Sequence, residues 1–336
     1  MSSNSITSTG GQPELRGAVS RFFKARTTTL LLINLAVAAI LAVLQPRFLD
    51  PQNLSSLFMG MTYDLLMAMG MTLVLILGGI DLSVGSVLGL TGVVVTMLLS
   101  NHIMSTAIPV PVAILAGLLV AATCGALNGI GVAKLKIAPF IVTLGMFAIA
   151  RGLATVLTSG WYISGLPDAY LTIGQGTVFG LPFPIIVTLL ILLGFNYLLK
   201  HWKPLNQAFY IGQNPDAAAL SGIRVTLVTF FGYVISSLLA GVAAVFMTSR
   251  LAMGFFQFGL GSELNAIAGA VIGGASFAGG SGDLLGTFLG VLLLALIRNG
   301  FVLLNGSPNW QGIVSGAIVF LAIAVDAYRR RNETRD

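Results

Sequence analysis

The chain has 336 residues, of which 56% are hydrophobic and only 8% are charged, and its mean hydropathy is +0.94. About a quarter of the residues in a typical soluble domain are charged, so this chain has too few charges to cover a soluble protein of its size. The composition indicates a polytopic helical membrane protein, and the single cysteine, Cys124, excludes a disulfide framework and a zinc site built from cysteines.

Ten apolar segments are long enough to cross a membrane as helices when the chain is divided at charges, prolines and polar clusters. They lie at 27–44, 62–80, 82–100, 110–133, 138–158, 183–199, 224–248, 264–280, 284–304 and 309–327. The first follows a basic segment and has no small-residue cleavage site behind it, so we expect a retained anchor. The sequence thus predicts a basic tail at 1–26, a transmembrane domain at 27–327 and a second tail at 328–336.

The basic residues predict the orientation of these spans. If the N-terminus is cytoplasmic and the spans alternate, most of the 17 lysines and arginines fall on the cytoplasmic side. They are Arg16, Arg21, Lys24, Arg26, Lys134, Lys136, Lys200, Lys203, Arg224, Arg329, Arg330, Arg331 and Arg335. We therefore expect both termini to be cytoplasmic, with the loop 159–182 outside and the loop 200–223 inside.

Nothing in the sequence indicates a catalytic domain. The longest loops are too short to fold alone, and no Gly-Lys pair is present, so the phosphate-binding loop of ATPases is absent. We expect no enzymatic activity and no cofactor or metal bound by this chain. Glycines spaced four residues apart favour close helix packing instead. These are Gly85 and Gly89, Gly125 and Gly129, Gly282, Gly286 and Gly290, and Gly312 and Gly316.

Two glycine-rich segments, 78–86 and 273–283, interrupt apolar runs near the predicted cytoplasmic face, and we call them the first and the second glycine hairpin. Their likeness suggests an internal repeat. Glycine permits the backbone conformations of a tight turn, and Asp or Ser beside it can cap the next helix. Asp81 and Asp283 therefore have two interpretations. They cap helices at the membrane surface, or they line a path and contact a substrate or a partner subunit.

The segment 212–223 predicts a short exposed helix. Asn214 is a favoured N-cap, Pro215 suits the first helical position, Asp216 complements the positive helix end, and Gly222 can end the helix. Small residues between the caps leave the helix thin enough to dock into a groove on another protein. The alternative is a connector that rests on lipid headgroups. The residues assigned to this predicted coupling segment are Gly212, Asn214, Pro215, Asp216, Ala217, Ala218, Ser221 and Gly222.

Polar side chains inside apolar spans cost roughly 3 kcal/mol each unless they meet a partner or water. We expect them to face the bundle interior or a subunit interface. Arg151 and Arg298 have two interpretations. They bond to carbonyl groups at helix ends or to the carboxylates of Glu263 or Asp64, or they contact a substrate. The residues that we expect to line a translocation path or to belong to the glycine hairpins are Asp81, Ser83, Asn128, Arg151, Glu263, Asn265, Ser276 and Asn299. The aromatic residues Trp161, Tyr162, Tyr170 and Trp310 are assigned to the interfacial belt.

Several segments together resemble the permeases of the ribose, xylose and galactose type of ABC sugar importer. They occur in the family's order within 27–327, which makes the resemblance specific. They are AMGMTLV at 68–74, GGIDLSVGS at 78–86, NG at 128–129, PFIVTLG at 139–145 with Arg151-Gly152, GQNPDAAALSGI at 212–223, ELNAIA at 263–268 and the second glycine hairpin.

The resemblance implies an all-α permease of about ten helices in a bacterial inner membrane, similar to the vitamin B12 importer permease, a type II ABC importer. It implies transport of a pentose, hexose or related polyol. It further implies three protein partners: an ATPase with two nucleotide-binding domains that uses ATP and Mg, a periplasmic sugar-binding protein, and a second permease subunit, either a copy or a close paralogue. Membrane lipid surrounds the chain, and no nucleic acid partner is implied.

Two other classes remain open from the residues alone. A self-sufficient secondary carrier or channel needs its own ion-coupling site near the bilayer midplane. The predicted topology puts Asp64 and Glu263 toward the outer ends of their spans, which weakens that hypothesis. An intramembrane enzyme needs a cluster of catalytic side chains, and the sequence contains no recognisable one.

Overall fold

The computed structural model describes residues 26–103 and 108–306, together with Ile313, Gly316, Ala317 and Phe320. The predicted tails at 1–26 and 328–336 and the predicted span at 309–327 therefore fall almost entirely outside the described residues. Trp310 and Gly312 also lie outside them.

Helices joined by short connections form nearly all of the described structure. They are α1 (Arg26–Leu44), α2 (Pro51–Ile76), α3 (Val84–Leu99), α4 (Val110–Gly129), α5 (Pro139–Thr158), α6 (Asp168–Gln175), α7 (Phe183–His201), α8 (Lys203–Gln213), α9 (Pro215–Leu220), α10 (Val225–Leu251), α11 (Ser262–Gly273) and α12 (Leu284–Leu303). A 3-10 turn precedes α2 at Pro46–Leu49, and α4 continues as a π-helix, Ile130–Lys134. A small antiparallel hairpin, β1 (Thr177–Val178) and β2 (Leu181–Pro182), follows α6.

Seven helices of the described ranges are long and apolar enough to cross a membrane, which confirms an all-α polytopic membrane protein. They are α1, α2, α4 with its π-helical end, α5, α7, α10 and α12. The predicted spans at 27–44, 110–133, 138–158, 183–199 and 284–304 agree with helices to within a few residues. The total of ten spans stays a prediction.

Two predicted boundaries are wrong. The second span was expected from 62, but α2 begins at Pro51, because proline suits a first helical position and the amide of Asn53 is paired with that of Asn299. The span expected at 264–280 ends at Gly273. There Gly274 takes a φ of +118°, which stops the helix and turns the chain back.

Helix α2 forms the centre of the protein. Every residue from Leu65 to Ile76 is buried, and α7, α10, α11 and α12 pack around it. A helix that is apolar on all sides is expected at such a position. By contrast, α1 packs mainly on α12 and leaves side chains such as Leu35 and Val43 exposed, as expected for a helix at the lipid boundary.

Close glycine contacts join α11 to α12. A Cβ atom at Gly286 would overlap the carbonyl oxygen of Gly273, and one at Gly290 would overlap that of Gly269. The two backbones therefore touch without intervening side chains, which confirms the predicted packing role of these α12 glycines.

The other glycine pairs contact different partners. Gly125 and Gly129 of α4 pack on the backbone of α10 at Tyr233 and Phe230, in agreement with the predicted helix contact. Gly85 and Gly89 of α3 instead meet the backbone of the loop between α10 and α11. That loop carries charged and polar contacts described below.

We predict that Gly290→Ala lowers the stability of the purified protein by about 1–3 kcal/mol, because the new methyl group forces α11 and α12 apart. The thermal midpoint of unfolding is measured in detergent, and the same preparation is run on size-exclusion chromatography. Gly145→Ala is the matched control, since Gly145 of α5 has open space around it. Equal midpoints for the two variants would contradict the close crossing of α11 and α12.

Candidate functional site

The first glycine hairpin begins with a well-defined helix end. Gly78 takes a φ of +79°, its N–H donates to the carbonyl of Leu75 at 2.8 Å, and the N–H of Gly79 donates to the carbonyl of Val74 at 2.9 Å. This Schellman arrangement satisfies carbonyls that the end of α2 would leave free.

The second hairpin begins in the same way. The N–H of Gly274 donates to the carbonyl of Val271 at 3.1 Å, and that of Ala275 donates to the carbonyl of Ala270 at 2.9 Å. The likeness of the two hairpins, expected from their sequences, therefore extends to their backbone hydrogen bonds.

Both hairpins meet the end of α8 at four glycines, Gly78, Gly212, Gly279 and Gly280, which we call the glycine junction. The N–H of Gly280 donates to the carbonyl of Ile76 at 2.8 Å. A Cβ atom at Gly212 would overlap that carbonyl oxygen and the nitrogen of Gly280, while Gly279 lies against Gly212 and Gly78. The chain immediately before α9 thus rests directly on both hairpins.

Helix α9 has the caps that its sequence predicts. The Oδ1 atom of Asn214 accepts hydrogen bonds from the backbone N–H groups of Asp216 and Ala217, each at 3.0 Å, and Gly222 takes a φ of +83°. Ala218 is buried against the protein, so it fixes the helix in place and is not available to a partner.

The outward face of α9 presents Leu220, which is 91% exposed. Leu220 is not among the residues that the sequence assigns to the coupling segment, although it is the one bulky apolar residue between Asn214 and Gly222. An exposed leucine on a short capped helix is suited to insertion into a groove on another protein.

Asp81 lies at the centre of a buried polar network. Its Oδ1 atom accepts from the backbone N–H and the hydroxyl of Ser83, at 3.0 and 2.6 Å, and its Oδ2 atom accepts from the hydroxyl of Ser236 at 2.9 Å. The amide of Asn128 donates to the Ser83 hydroxyl at 2.9 Å. All four residues are buried, so the network ties the first hairpin to α4 and α10 and is not a surface cap.

Asp283 has a different role in the second hairpin. Its Oδ2 atom accepts from the N–H of Gly286 at 2.9 Å and caps α12, while its Oδ1 atom lies 3.0 Å from Nζ of Lys200. Within the same hairpin, the hydroxyl of Ser276 accepts from the N–H of Ala278 at 3.2 Å. The capping interpretation therefore describes Asp283.

Arg151 is held by the loop between α10 and α11. Its Nη1 atom donates to the carbonyl oxygens of Phe256 and Phe258. Nε and Nη2 of Arg151 and Oε2 of Glu263 are buried and have no hydrogen-bond partner among the described residues, whereas Oε1 of Glu263 accepts from the N–H of Gly261. The unpaired atoms make Arg151 and Glu263 candidates for contact with a water or a polar ligand.

The remaining polar candidates are placed between helices. Nη1 of Arg298 lies 3.2 Å from Oδ2 of Asp64, which joins α12 to α2. Asn299 donates to Asn53 at 2.8 Å between the same helices. Asn265 is half-buried and makes no side-chain hydrogen bond within the described ranges. The assignment of these residues to a translocation path stays a prediction.

The expected interfacial role of Tyr170 is wrong. The residue is fully buried, and its hydroxyl lies 2.6 Å from that of Thr248, so α6 is anchored on α10. Burial raises the pKa of the Tyr170 phenol, which keeps it protonated and able to donate. Trp161 and Tyr162 are exposed, as an interfacial position requires. No group of His, Cys, Asp and Glu that could hold a metal ion occurs in the described ranges.

The sequence has clear relatives among known proteins. The family described as "Branched-chain amino acid transport system / permease component" matches residues 52–323. The ribose import permease protein RbsC of Escherichia coli K12 is 36% identical over 300 residues, which are 88% of this chain and 92% of the relative. RbsC of Bacillus subtilis 168 is 39% identical over 290 residues, 85% of this chain and 88% of the relative. The L-arabinose ABC transporter permease protein AraH of Azospirillum brasilense is 31% identical over 302 residues, which are 90% of this chain and 87% of the relative. No solved structure matches this chain.

We predict that Asp81→Ala destabilises the protein by about 3 kcal/mol or more, because three buried donors lose their acceptor. Asp81→Asn is the matched control: it keeps one acceptor oxygen, so its cost should be about 1 kcal/mol. The thermal midpoint of the purified chain measures both effects. An unchanged midpoint for Asp81→Ala would show that the side chain belongs to a ligand-binding surface and not to the scaffold.

Proposed function

This chain belongs to the family of branched-chain amino acid transport system / permease components, and from this premise we propose that it is the membrane-spanning subunit of an ATP-driven sugar importer. Its substrate is a pentose, a hexose or a related polyol. The relatives named above carry the names of ribose and arabinose permeases, and a further relative, the D-allose transport system permease protein AlsC of Escherichia coli K12, is 33% identical. The chain is a multi-pass protein of the inner membrane.

The glycine junction is the observation that carries the proposal that the energy comes from a separate subunit. A capped helix that exposes a leucine is connected, through Gly212, to the ends of both hairpins. A force applied to α9 from outside the membrane would reach α2 and α11 through backbone contacts alone. This arrangement suits a permease that is driven by an ATPase docked on α9.

Two of the acidic residues, Asp64 and Asp81, give little support to a self-sufficient carrier. Asp64 is paired with Arg298, and both oxygens of Asp81 already accept hydrogen bonds from serines. Ion-coupled carriers place their ion sites near the midplane in broken helices, where ligand atoms must be free to bind. The sugar is therefore proposed to arrive from a periplasmic binding protein and to pass between this chain and a second permease subunit, while the ATPase partner uses ATP and Mg.

We predict that Leu220→Arg abolishes co-purification of the ATPase subunit, because an unpaired charge in a packed interface costs about 3 kcal/mol, which is about a hundredfold in affinity. Leu220→Met is the matched control and should retain the partner, since it preserves an apolar side chain of similar size. The tagged chain is purified in mild detergent and its partners are quantified by mass spectrometry. Retention of the ATPase by Leu220→Arg would contradict docking on α9.

Uptake measurements test the energy source and the substrate together. Proteoliposomes that contain the chain, its ATPase and its binding protein should accumulate a labelled pentose or hexose only when ATP is enclosed with the ATPase. Labelled leucine should not accumulate, although the family description names branched-chain amino acids. Accumulation of leucine would overturn the sugar assignment, and ion-driven uptake by the chain alone would favour the secondary carrier.

The orientation gives a separate prediction. A reporter that is active only in the cytoplasm, fused after Arg331, should be active, because the basic residues place that end inside. A periplasm-specific reporter at the same position should be inactive. The opposite result would reverse the proposed side of every loop, including α9.

A further inference from the structure

A cavity of about 580 Å³ lies between the π-helical end of α4, helix α9 and the start of α10. This volume lies within the roughly 300–1,000 Å³ range of small-molecule sites. The cavity is distinct from the outward face of α9, because it is lined by Pro215 and Ala219, whereas Leu220 does not line it. We call it the basic cavity because of the charges described next.

Three cations line the basic cavity: Lys134, Lys136 and Arg224. All three are exposed, and none has an ion pair or a side-chain hydrogen bond within the described part of the chain. The one carboxylate of the lining is Asp216. The cavity therefore has an excess of positive charge that is not neutralised by its own walls and favours an anionic ligand.

An unusual backbone brings the two lysines to the same cavity. The N–H of Leu135 bonds to the carbonyl of Ile130 at 3.0 Å, that of Ile137 bonds to the carbonyl of Gly131 at 3.1 Å, and Lys136 takes a φ of +58°. Non-glycine residues with such a φ are uncommon and are concentrated at functional sites. The π-helix ends the candidate span Val110–Lys134, and this turn leads from it to α5.

The apolar wall of the cavity is formed by side chains that belong to candidate membrane spans. It includes Ile130, within the candidate span Val110–Lys134, and Leu227 and Phe230, within the candidate span Val225–Leu251. The cations, by contrast, lie at the ends of these spans, which is the level of lipid headgroups. Ile130 and Leu227 remain exposed, so an acyl chain packed against them would cover apolar surface.

We propose that the basic cavity binds one anionic phospholipid, whose phosphate is held by the three cations and whose first acyl carbons pack on the apolar wall. The lipid then packs against α9, in addition to α8 and α10, which also contact it. If α9 couples to an ATPase, which rests on the proposed function, transport depends on the anionic lipid content of the membrane.

The test measures binding of phosphatidylglycerol to the purified chain by native mass spectrometry, after exchange into phosphatidylcholine nanodiscs. Each cation near a charged surface contributes about 1 kcal/mol, so Lys136→Gln should weaken retention about fivefold. The combination of Lys134→Gln, Lys136→Gln and Arg224→Gln should weaken it by more than tenfold. Lys203→Gln is the matched control, because Lys203, at the start of α8, is an exposed cation that does not line the cavity.

Two further arms identify the source of the anion. Leu227→Ser should weaken phosphatidylglycerol retention, since a lipid needs the apolar wall, and inorganic phosphate should fail to displace the lipid. Displacement by inorganic phosphate, or full retention by Leu227→Ser, would show a site for a soluble anion and would overturn the proposal.

The remaining outcomes also separate the alternatives. Equal losses for Lys136→Gln and Lys203→Gln would mean general surface attraction, and unchanged retention by the triple variant would mean that no lipid binds there. If the triple variant kept the lipid but lost the ATPase, the cations would belong to the protein interface. Thermal midpoints in lipid-free detergent control for folding. Because lipid retention is measured on the chain alone, its result does not depend on the proposed importer.

Discussion

The carbonyl group of Ile76 needs a hydrogen-bond donor where α2 ends, and the arrangement of the second hairpin follows from this need. A buried carbonyl without a partner costs about 1–3 kcal/mol. Gly280 supplies the N–H, which requires the second hairpin to approach the end of the central helix closely. That approach is possible only because Gly279 and Gly212 have no side chains. The central helix, the two hairpins and α8 are therefore positioned by one requirement.

The buried polar groups divide into those that are satisfied and those that are not. Both carboxylate oxygens of Asp81 accept hydrogen bonds and Asp64 pairs with Arg298, so each joins segments that are distant in sequence. Arg151 and Glu263 keep unpaired atoms beside the glycine face of α3. Because buried polar atoms are costly without a hydrogen-bond partner, Arg151 and Glu263 are candidates for contact with a polar solute.

Local features of the structure could be predicted from the sequence, and long-range pairs could not. The caps of α9, the apolar spans and the packing glycines of α12 follow from neighbouring residues, so periodicity and capping rules found them. The bond between Asp81 and Ser236 joins residues 155 positions apart, and Arg151 bonds to carbonyls more than 100 positions away. A single sequence gives no signal for such pairs. The early start of α2 was missed for the same reason, since Asn53 is tolerated through a distant partner, Asn299.

The contact between α8 and the hairpins consists of backbone atoms, and this has a consequence for how the protein responds to its surroundings. Peptide groups do not titrate and carry no net charge, so neither the pH nor the ionic strength of the surrounding solution changes the fit of Gly212 against Ile76 and Gly280. The nearby pair of Lys200 and Asp283, which is partly exposed, weakens as salt rises. A rise in ionic strength would therefore weaken the ion pair between α7 and α12, while the backbone contact of Gly212 beside it keeps the same geometry.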